Sequence, residues 1–406
     1  MTPTPVQPAA SNAAGLEAAL LAETEAEVRF DAGSRGAYAT DGSNYRQVPI
    51  GVVVPRDIES GARAVEVCAR FGAPVLSRGG GTSLAGQATN AAVIVDWTKY
   101  CHRLVSVDPG ARTCVVEPGI VLDELNRRLS GPRLQFGPKP STHTHRALGG
   151  MIGNNSCGAS AQAYGKTVDN VRRLEILTYD GTRMWVGPTP KAERERIAEE
   201  GGRRAEIHAG LDHIITEYLA DVCHGYPDIP RRVSGYNLDS LLPEKGFDVA
   251  RALVGSEGTL VTVLRAELDL VPVPPFQSLL VLGYDDICTA ADDVPRLLEH
   301  SEPSQLRHRP RGPAPGRGTG TRTRRGTPRP PARTSRAAPR EAVTGRRLDG
   351  HRRRRRPRCH RRDSGRPRRG APPAPCPLAP APSPLHRKGS PHVHQGLRLP
   401  SPAPAR

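Results

Sequence analysis

The chain has 406 residues and eight cysteines, at positions 68, 101, 114, 157, 223, 288, 359 and 376, and no two of them form a C-x-x-C pair. That scatter excludes a zinc or iron–sulfur framework legible in sequence and makes a disulfide-stapled secreted domain unexpected. The opening MTPTPVQPAASNAAG has neither a basic n-region nor an apolar h-region, so no signal peptide is expected. No apolar run approaches the roughly 18 residues that a membrane-spanning helix needs. The expectation is a cytoplasmic protein, with peripheral attachment at the inner membrane face as the alternative.

The second set of absences lies in residues 301–406, which contain no Phe, Tyr, Trp, Ile, Met or Asn and a single lysine, Lys388. This segment carries 28 Lys and Arg against 4 Asp and Glu, which leaves 30 basic and 37 acidic residues in the first 300. The formal net charge of +17 therefore belongs to the tail, and the body is mildly acidic at −7. With so little apolar surface to offset the entropy of ordering, 307–406 is expected to be a disordered tail. Three readings of it compete. The run Arg352–Arg356 suits an arm that binds nucleic acid or anionic lipid, the tail is a solvated linker, or the GC-codon bias marks translation out of frame from near residue 306. The third accounts best for the abrupt change after ADDVPRLLEHSEPSQL, which still patterns as a helix and its exit. Nucleic acid is not an expected partner of the body.

What is present in the first 300 residues is an alternation of short strands and helices. A helix is expected over 14–29, a strand over Ile50–Val54, and a helix capped by Asp57 that places Ile58, Ala62, Val65 and Ala69 on one face. Strands follow at Val75–Leu76, Val93–Val95 and Val115–Val116, then a helix at 121–129 with Val121, Leu122, Leu125 and Leu129 on one side. Leu174–Tyr179 with Asp180-Gly181 reads as a strand and its hairpin turn, 190–222 as helix, and Ala252–Val254 and Leu260–Leu264 as strands around a glycine turn. The irregular order predicts an α+β fold of two α/β subdomains.

Three glycine-rich segments interrupt this pattern. The first, Ser77-Arg78-Gly79-Gly80-Gly81-Thr82-Ser83-Leu84-Ala85-Gly86-Gln87, can turn backbone N–H groups toward an anion, with Thr82 and Ser83 as added donors. It leads into another strand rather than a helix, which rules out a Rossmann loop, and it lacks the lysine of a P-loop. A tight structural turn is the competing reading. The second, residues 138–160, is dominated by small residues and amides without hydrophobic periodicity, which suits a backbone laid against a flat ligand. The third is Gly255-Ser256-Glu257-Gly258-Thr259-Leu260, a turn between strands.

Together these segments resemble the PCMH-type flavin domain of the vanillyl-alcohol oxidase / p-cresol methylhydroxylase superfamily. The nearer likeness is to its FAD-linked D-2-hydroxyacid dehydrogenases, which act on D-lactate, glycolate or D-2-hydroxyglutarate. The likeness runs from about Ala37 to Pro275, and LGGMIGNNSCGASAQAYGKTVDN at 148–170 looks most like long members fused to an iron–sulfur region. It implies an N-terminal helical segment at 1–36, an FAD-binding domain at 37–272, the start of an incomplete cap domain at 273–306 and the tail beyond. It implies that Arg78, Gly79, Gly80, Gly81, Thr82, Ser83, Leu84, Gly86 and Gln87 cradle the FAD pyrophosphate. Pro140, Ser141, Thr142, Gly149, Gly150, Gly153, Asn154, Ser156, Gly158 and Ser160 would line the flavin and ribityl chain, and Glu257, Gly258, Thr259 and Leu260 would close the site. Relatives that tether FAD through the first loop carry His after the glycines; Thr82 stands there, which implies non-covalent FAD.

By the same resemblance the substrate is a small 2-hydroxyacid, and electrons pass to a quinone, a cytochrome or an iron–sulfur partner. The base that takes the hydroxyl proton, a divalent metal and an iron–sulfur cluster belong to a C-terminal half of intact relatives, so no metal site and no catalytic base are assigned here. His351 and His360 stand in Arg-rich sequence without acidic partners. His143 and His145 are better placed, though a loop histidine is more often a backbone hydrogen-bonder. Cys157 reads as a small residue leaving room for a ring. Arg231, Arg232, Tyr236 and Asn237 form either a carboxylate clamp for substrate or an ordinary loop anchor.

Overall fold

A computed structural model describes residues 12–229, 231–277 and 280–300, all within the first of two units, Met1–Arg356. The tail with Arg352–Arg356, His351 and His360 lies outside the described residues, as do positions 301–306 of the expected cap segment.

The first layer is built by α1 (Ala13–Glu23), β1 (Glu27–Arg29), α2 (Ala32–Ala37), β2 (Gly51–Val54), α3 (Ile58–Arg70), β3 (Val75–Arg78) and β4 (Val93–Asp96). Its four strands lie in the order β1-β2-β4-β3, parallel except for β1 against β2. GVVV in β2 and VIVD in β4 are buried at every position, as expected of parallel strands covered on both faces. The α3 helix starts where the sequence places it. The Asp57 carboxylate accepts the Ser60 N–H at 2.7 Å, and Ser60 Oγ accepts the Asp57 N–H at 3.2 Å, a closed capping box. Leu16 and Leu20 of α1 pack with Ala64, Val67 and Cys68 of α3 over Val53 and Val93.

The second layer comprises β5 (Leu104–Asp108), β6 (Thr113–Val116), α4 (Leu122–Arg128), β7 (Leu134–Gln135), α5 (Leu148–Asn154), α6 (Ala161–Tyr164), β8 (Val171–Leu177), β9 (Arg183–Val186), α7 (Lys191–Glu200), α8 (Gly202–Glu217), α9 (Leu219–His224), α10 (Val249–Leu253), β10 (Thr262–Asp269) and β11 (Val271–Pro272). Its antiparallel sheet runs β5-β6-β10-β8-β9, while β7 pairs with β11 apart from it. The late strand β10 inserts between β6 and β8, with Thr262, Leu264, Ala266 and Leu268 alternating inward. Two short helices, α11 (Ile287–Asp292) and α12 (Val294–His300), follow. The mixed α+β class predicted from sequence is what the chain adopts.

Four expectations are corrected. The first helix ends at Glu23, and Glu27–Arg29 is a strand, because Glu27 is held by Lys99 and Tyr100 and its segment pairs with β2. The segment 138–160 does contain a helical period, since Leu148, Met151 and Ile152 are buried at i, i+3 and i+4 and form α5. Ala252–Val254 is not a strand; it ends α10, whose N-terminus is capped by Asp248 accepting the Arg251 N–H at 3.0 Å. The third glycine turn therefore runs from helix to strand. The sequence of 273–300 suits a strand and then a helix, but among the described residues of 273–286 there is no strand, and α11 and α12 supply the helical part.

Candidate flavin-binding cleft

The three glycine segments meet in one cleft whose empty space, mouth included, is about 880 Å³. One wall is the loop after β3, where Gly81 takes the left-handed φ of 62° and its carbonyl accepts the Gly42 N–H at 2.9 Å. The other wall is the start of α5, held by the Gly149 N–H on the Pro118 carbonyl at 2.8 Å and the Leu148 N–H on the Ile120 carbonyl at 2.9 Å. The walls touch closely. A Cβ on Gly80 would run into the His145 carbonyl, and one on Gly79 would lie 3.1 Å from Ala147 Cβ. A Cβ on Gly150 or Gly258 would meet nothing within 4 Å, so these glycines leave open space in the cleft.

Of the residues expected at the cofactor, Arg78, Gly79, Gly80, Gly81, Thr82, Ser83, Gln87, Gly149, Gly150, Gly153, Asn154, Glu257 and Gly258 line the cleft. The remainder do not. Leu84 is 79% exposed, and Gly86, with φ 82°, turns the loop against Tyr45. Pro140 is buried and Ser141 exposed, while Thr142 Oγ1 is buried with no hydrogen-bond partner. Gly158 packs under the Lys139 carbonyl, and Ser160 Oγ bonds both the Lys139 N–H at 3.0 Å and the Gly137 carbonyl at 3.1 Å. Those two brace the loop from behind. Ser156 acts through Arg146, described below, and Thr259 bonds the Tyr236 hydroxyl at 2.8 Å beside the exposed Leu260.

Arg78 lines the cleft, yet its guanidinium is committed to the backbone. It donates to the carbonyls of Ala88 at 2.7 Å, Thr40 at 2.8 Å and Tyr38 at 3.3 Å, stacked 5.2 Å from the Tyr38 ring. Tyr38 in turn donates to Asp96 at 2.6 Å. Arg78 thus fixes the shape of the glycine loop and adds its charge from underneath. The reading from sequence missed Arg146, whose guanidinium donates to Thr82 Oγ1 at 3.2 Å and Ser156 Oγ at 2.7 Å across the cleft. Its only local signal is a cation inside a run of small residues, and its role depends on Thr82, 64 positions away. Ser77, Trp97, Pro118, Ser256 and Val263 also line the cleft unanticipated.

Among the described residues neither Arg78 nor Arg146 has a carboxylate within ion-pair distance, and burial holds both below the usual arginine pKa. Asp96 and Asp41 act on Arg78, and Glu257 on Arg146, only through space, and two half-buried cations without a direct ion pair are a costly arrangement unless an anion joins them. Ser77 Oγ and Trp97 Nε1, both on lining residues, are buried without hydrogen-bond partners as well. Burial also raises Glu257 above the ordinary carboxyl range, opposed by the hydrogen bond from Asn154 Nδ2 at 2.8 Å and the charge of Arg146. A glycine-walled cleft with spare positive charge fits a dinucleotide diphosphate, which carries two negative charges.

The substrate and catalytic candidates divide. Arg232 donates to Asp239 at 2.6 Å and stacks 4.1 Å from the Tyr226 ring, while buried Asn237 donates to the Val254 carbonyl at 2.7 Å. Both serve the loop-anchoring alternative. Arg231, whose Nη2 lies 3.0 Å from Cys157 Sγ, and Tyr236 are exposed. His143 Nδ1 sits 2.8 Å from both oxygens of Asp123, and exposed His145 bonds Thr144; neither lines the cleft. No cluster of three potential metal ligands occurs among the described residues, and no helix there is long and apolar enough to cross a membrane.

The fold and cleft define a flavin-binding class of domain. Residues 49–187 match the FAD binding domain family, in keeping with the flavin-domain resemblance of the glycine segments, and FAD is the cofactor. The chain is 31% identical over 270 residues to a D-2-hydroxyglutarate dehydrogenase of Pantoea ananatis, covering 65% of this chain and 26% of that one. It is 31% identical over 300 residues to the D-2-hydroxyglutarate dehydrogenase of Pseudomonas putida, covering 73% and 30%. To the glycolate oxidase subunit GlcD of Bacillus subtilis it is 26% identical over 274 residues, covering 66% and 47%. The matched region thus spans between a quarter and a third of the length of those two dehydrogenases.

Proposed function

We propose that residues 37–272 form the FAD domain of a D-2-hydroxyacid dehydrogenase, holding FAD non-covalently and passing electrons to an acceptor other than oxygen. The observation that carries this reading is the pair of guanidiniums, Arg78 and Arg146, set without a direct ion pair in a glycine-walled cleft. The names of the similar proteins supply the substrate class. FAD, when bound, supplies the hydride-accepting chemistry that oxidises the substrate's α-carbon. The chain's own residues bind and orient. Arg146 presents charge to the diphosphate, Thr82 and Ser156 hold Arg146, and Gly150 and Gly258 keep side chains out of the cofactor's space. Thr82 offers no imidazole for a covalent link, and its hydroxyl already accepts from Arg146. Exposed Arg231 and Tyr236 are the members of the expected clamp left to meet a substrate carboxylate.

A second reading is a flavin domain without turnover. It is favoured by the commitment of Arg232 and Asn237 to internal contacts and by the absence of any histidine lining the cleft among the described residues. Residues 273–306 would then begin a substrate domain that the Arg/Pro-rich sequence after residue 306 does not continue. An out-of-frame tail accounts for that composition, and finding its peptides in native protein by mass spectrometry would exclude it. One assay separates the two functional readings: dye reduction by the FAD-loaded chain with D-2-hydroxyglutarate, D-lactate and glycolate. The dehydrogenase reading predicts reduction with at least one of the three. FAD binding with no reduction by any of them would leave the second.

A further inference from the structure

Among the described residues, Glu257 is the one carboxyl whose side chain lines the cleft. It stands on the turn between α10 and β10 with a left-handed φ of 53°, a conformation that a non-glycine residue holds only when its surroundings impose it. What imposes it is visible. Its N–H donates to the Gly153 carbonyl at 2.9 Å, and its carboxylate accepts from Asn154 Nδ2 at 2.8 Å, both partners being on α5. From the glycine loop Gln87 is a further hydrogen-bond neighbour, and from the loop ahead of α5 Arg146 acts on it through space without an ion pair. Cys157 is the other ionisable group that Arg146 senses, and Arg78 is turned onto backbone carbonyls. Glu257 therefore shares the field of Arg146 with whatever anion enters the cleft, and only neutral amides touch its carboxylate.

A diphosphate entering this space brings two negative charges into a partly desolvated cleft that already holds a carboxylate. Like charges so confined favour protonation of the weaker acid. We propose that Glu257 takes up one proton from solvent when FAD binds, so that its carboxylate becomes a carboxylic acid and cofactor affinity is coupled to pH. Burial, which already raises Glu257 in the free cleft, acts in the same direction. The sign follows from linkage: binding that consumes a proton is strongest at low pH and weakens as pH rises through the group's pKa in the free and then the loaded protein. The proposal rests on the reading of the cleft as the FAD site.

The test is titration calorimetry of the full chain with FAD from pH 5 to 8, repeated in two buffers of different ionisation enthalpy. Proton uptake approaching one per FAD is expected within that range, with Kd rising by up to about tenfold per pH unit there. Glu257→Gln, which keeps an acceptor for Asn154 but cannot ionise, is expected to bind FAD with a Kd independent of pH and to take up no proton. This variant isolates Glu257 from the other ionisable groups of the chain. A proton count of zero in the wild-type chain overturns the proposal, as does an unchanged pH dependence in a folded Glu257→Gln protein. Should that variant fail to fold, the wild-type proton count decides alone. No FAD binding at any pH would overturn the cofactor site itself, whereas pH-independent binding overturns only the proton linkage.

Discussion

At the residue scale, two glycines that their sequence setting does not distinguish have opposite roles. Gly80 is pressed against the His145 carbonyl, a backbone atom that cannot move without shifting the whole loop. Gly150 faces open cleft from inside α5, with a backbone that alanine accepts. Gly80→Ala is expected to lower stability by about 1–3 kcal/mol, the usual cost of overpacking, and to weaken FAD binding with it. Gly150→Ala should instead leave thermal stability unchanged or raise it by about 0.5–1 kcal/mol, because alanine is the better helix former. It should still weaken FAD binding at least tenfold, since its methyl enters the cofactor's space. Thermal melts alongside flavin fluorescence titrations check both, and unaltered FAD affinity in Gly150→Ala would place the cofactor elsewhere. Arg146→Lys should bind FAD more weakly than wild type without loss of fold, because an ammonium cannot bridge Thr82 and Ser156 as the planar guanidinium does.

At the scale of elements, β1 shows how tertiary contacts override local preference. The Ala/Glu/Leu-rich stretch favours helix throughout, yet Glu27 leaves it to meet Lys99 at 2.6 Å, Tyr100 and Arg29, and these contacts hold its pKa at about 2. A carboxyl depressed in the folded state stabilises above its unfolded value near 4.5, and that contribution is lost as pH falls toward 2. Glu27→Gln is therefore expected to melt below wild type at pH 7, with the gap closing between pH 4.5 and 2. Melting curves at stepped pH test this, and added salt should narrow the gap because the pairs lie at the surface. The cap of α3 and the buried runs of β2 and β4 were legible because each is written in consecutive residues. In α5 the glycines masked the helix: each costs about 0.5–1 kcal/mol there, while burial of Leu148, Met151 and Ile152 contributes about 1.5–3 kcal/mol apiece. The position of β10 between β6 and β8, and the hold of Arg146 on Thr82, are long-range pairings that no local window contains.

Across the whole molecule, charge is sorted by place. The first 300 residues are net acidic at −7, yet the cleft within them concentrates Arg78 and Arg146 against the single carboxyl of Glu257. On the proposed reading that local reversal would direct an anionic cofactor to one site on an acidic body, and flavin association should accordingly slow as ionic strength rises. The glycine segments announced the cofactor in sequence, whereas the electrostatics that select it emerge only when three loops, separated by up to 180 positions, converge. The most direct measurement is a titration of the full chain with FAD followed by flavin fluorescence, with acid precipitation of the saturated protein. The cleft described here predicts saturation at one FAD per chain and a yellow supernatant over a colourless pellet. Absence of saturable binding would contradict the site, and colour retained in the pellet would contradict its non-covalent character.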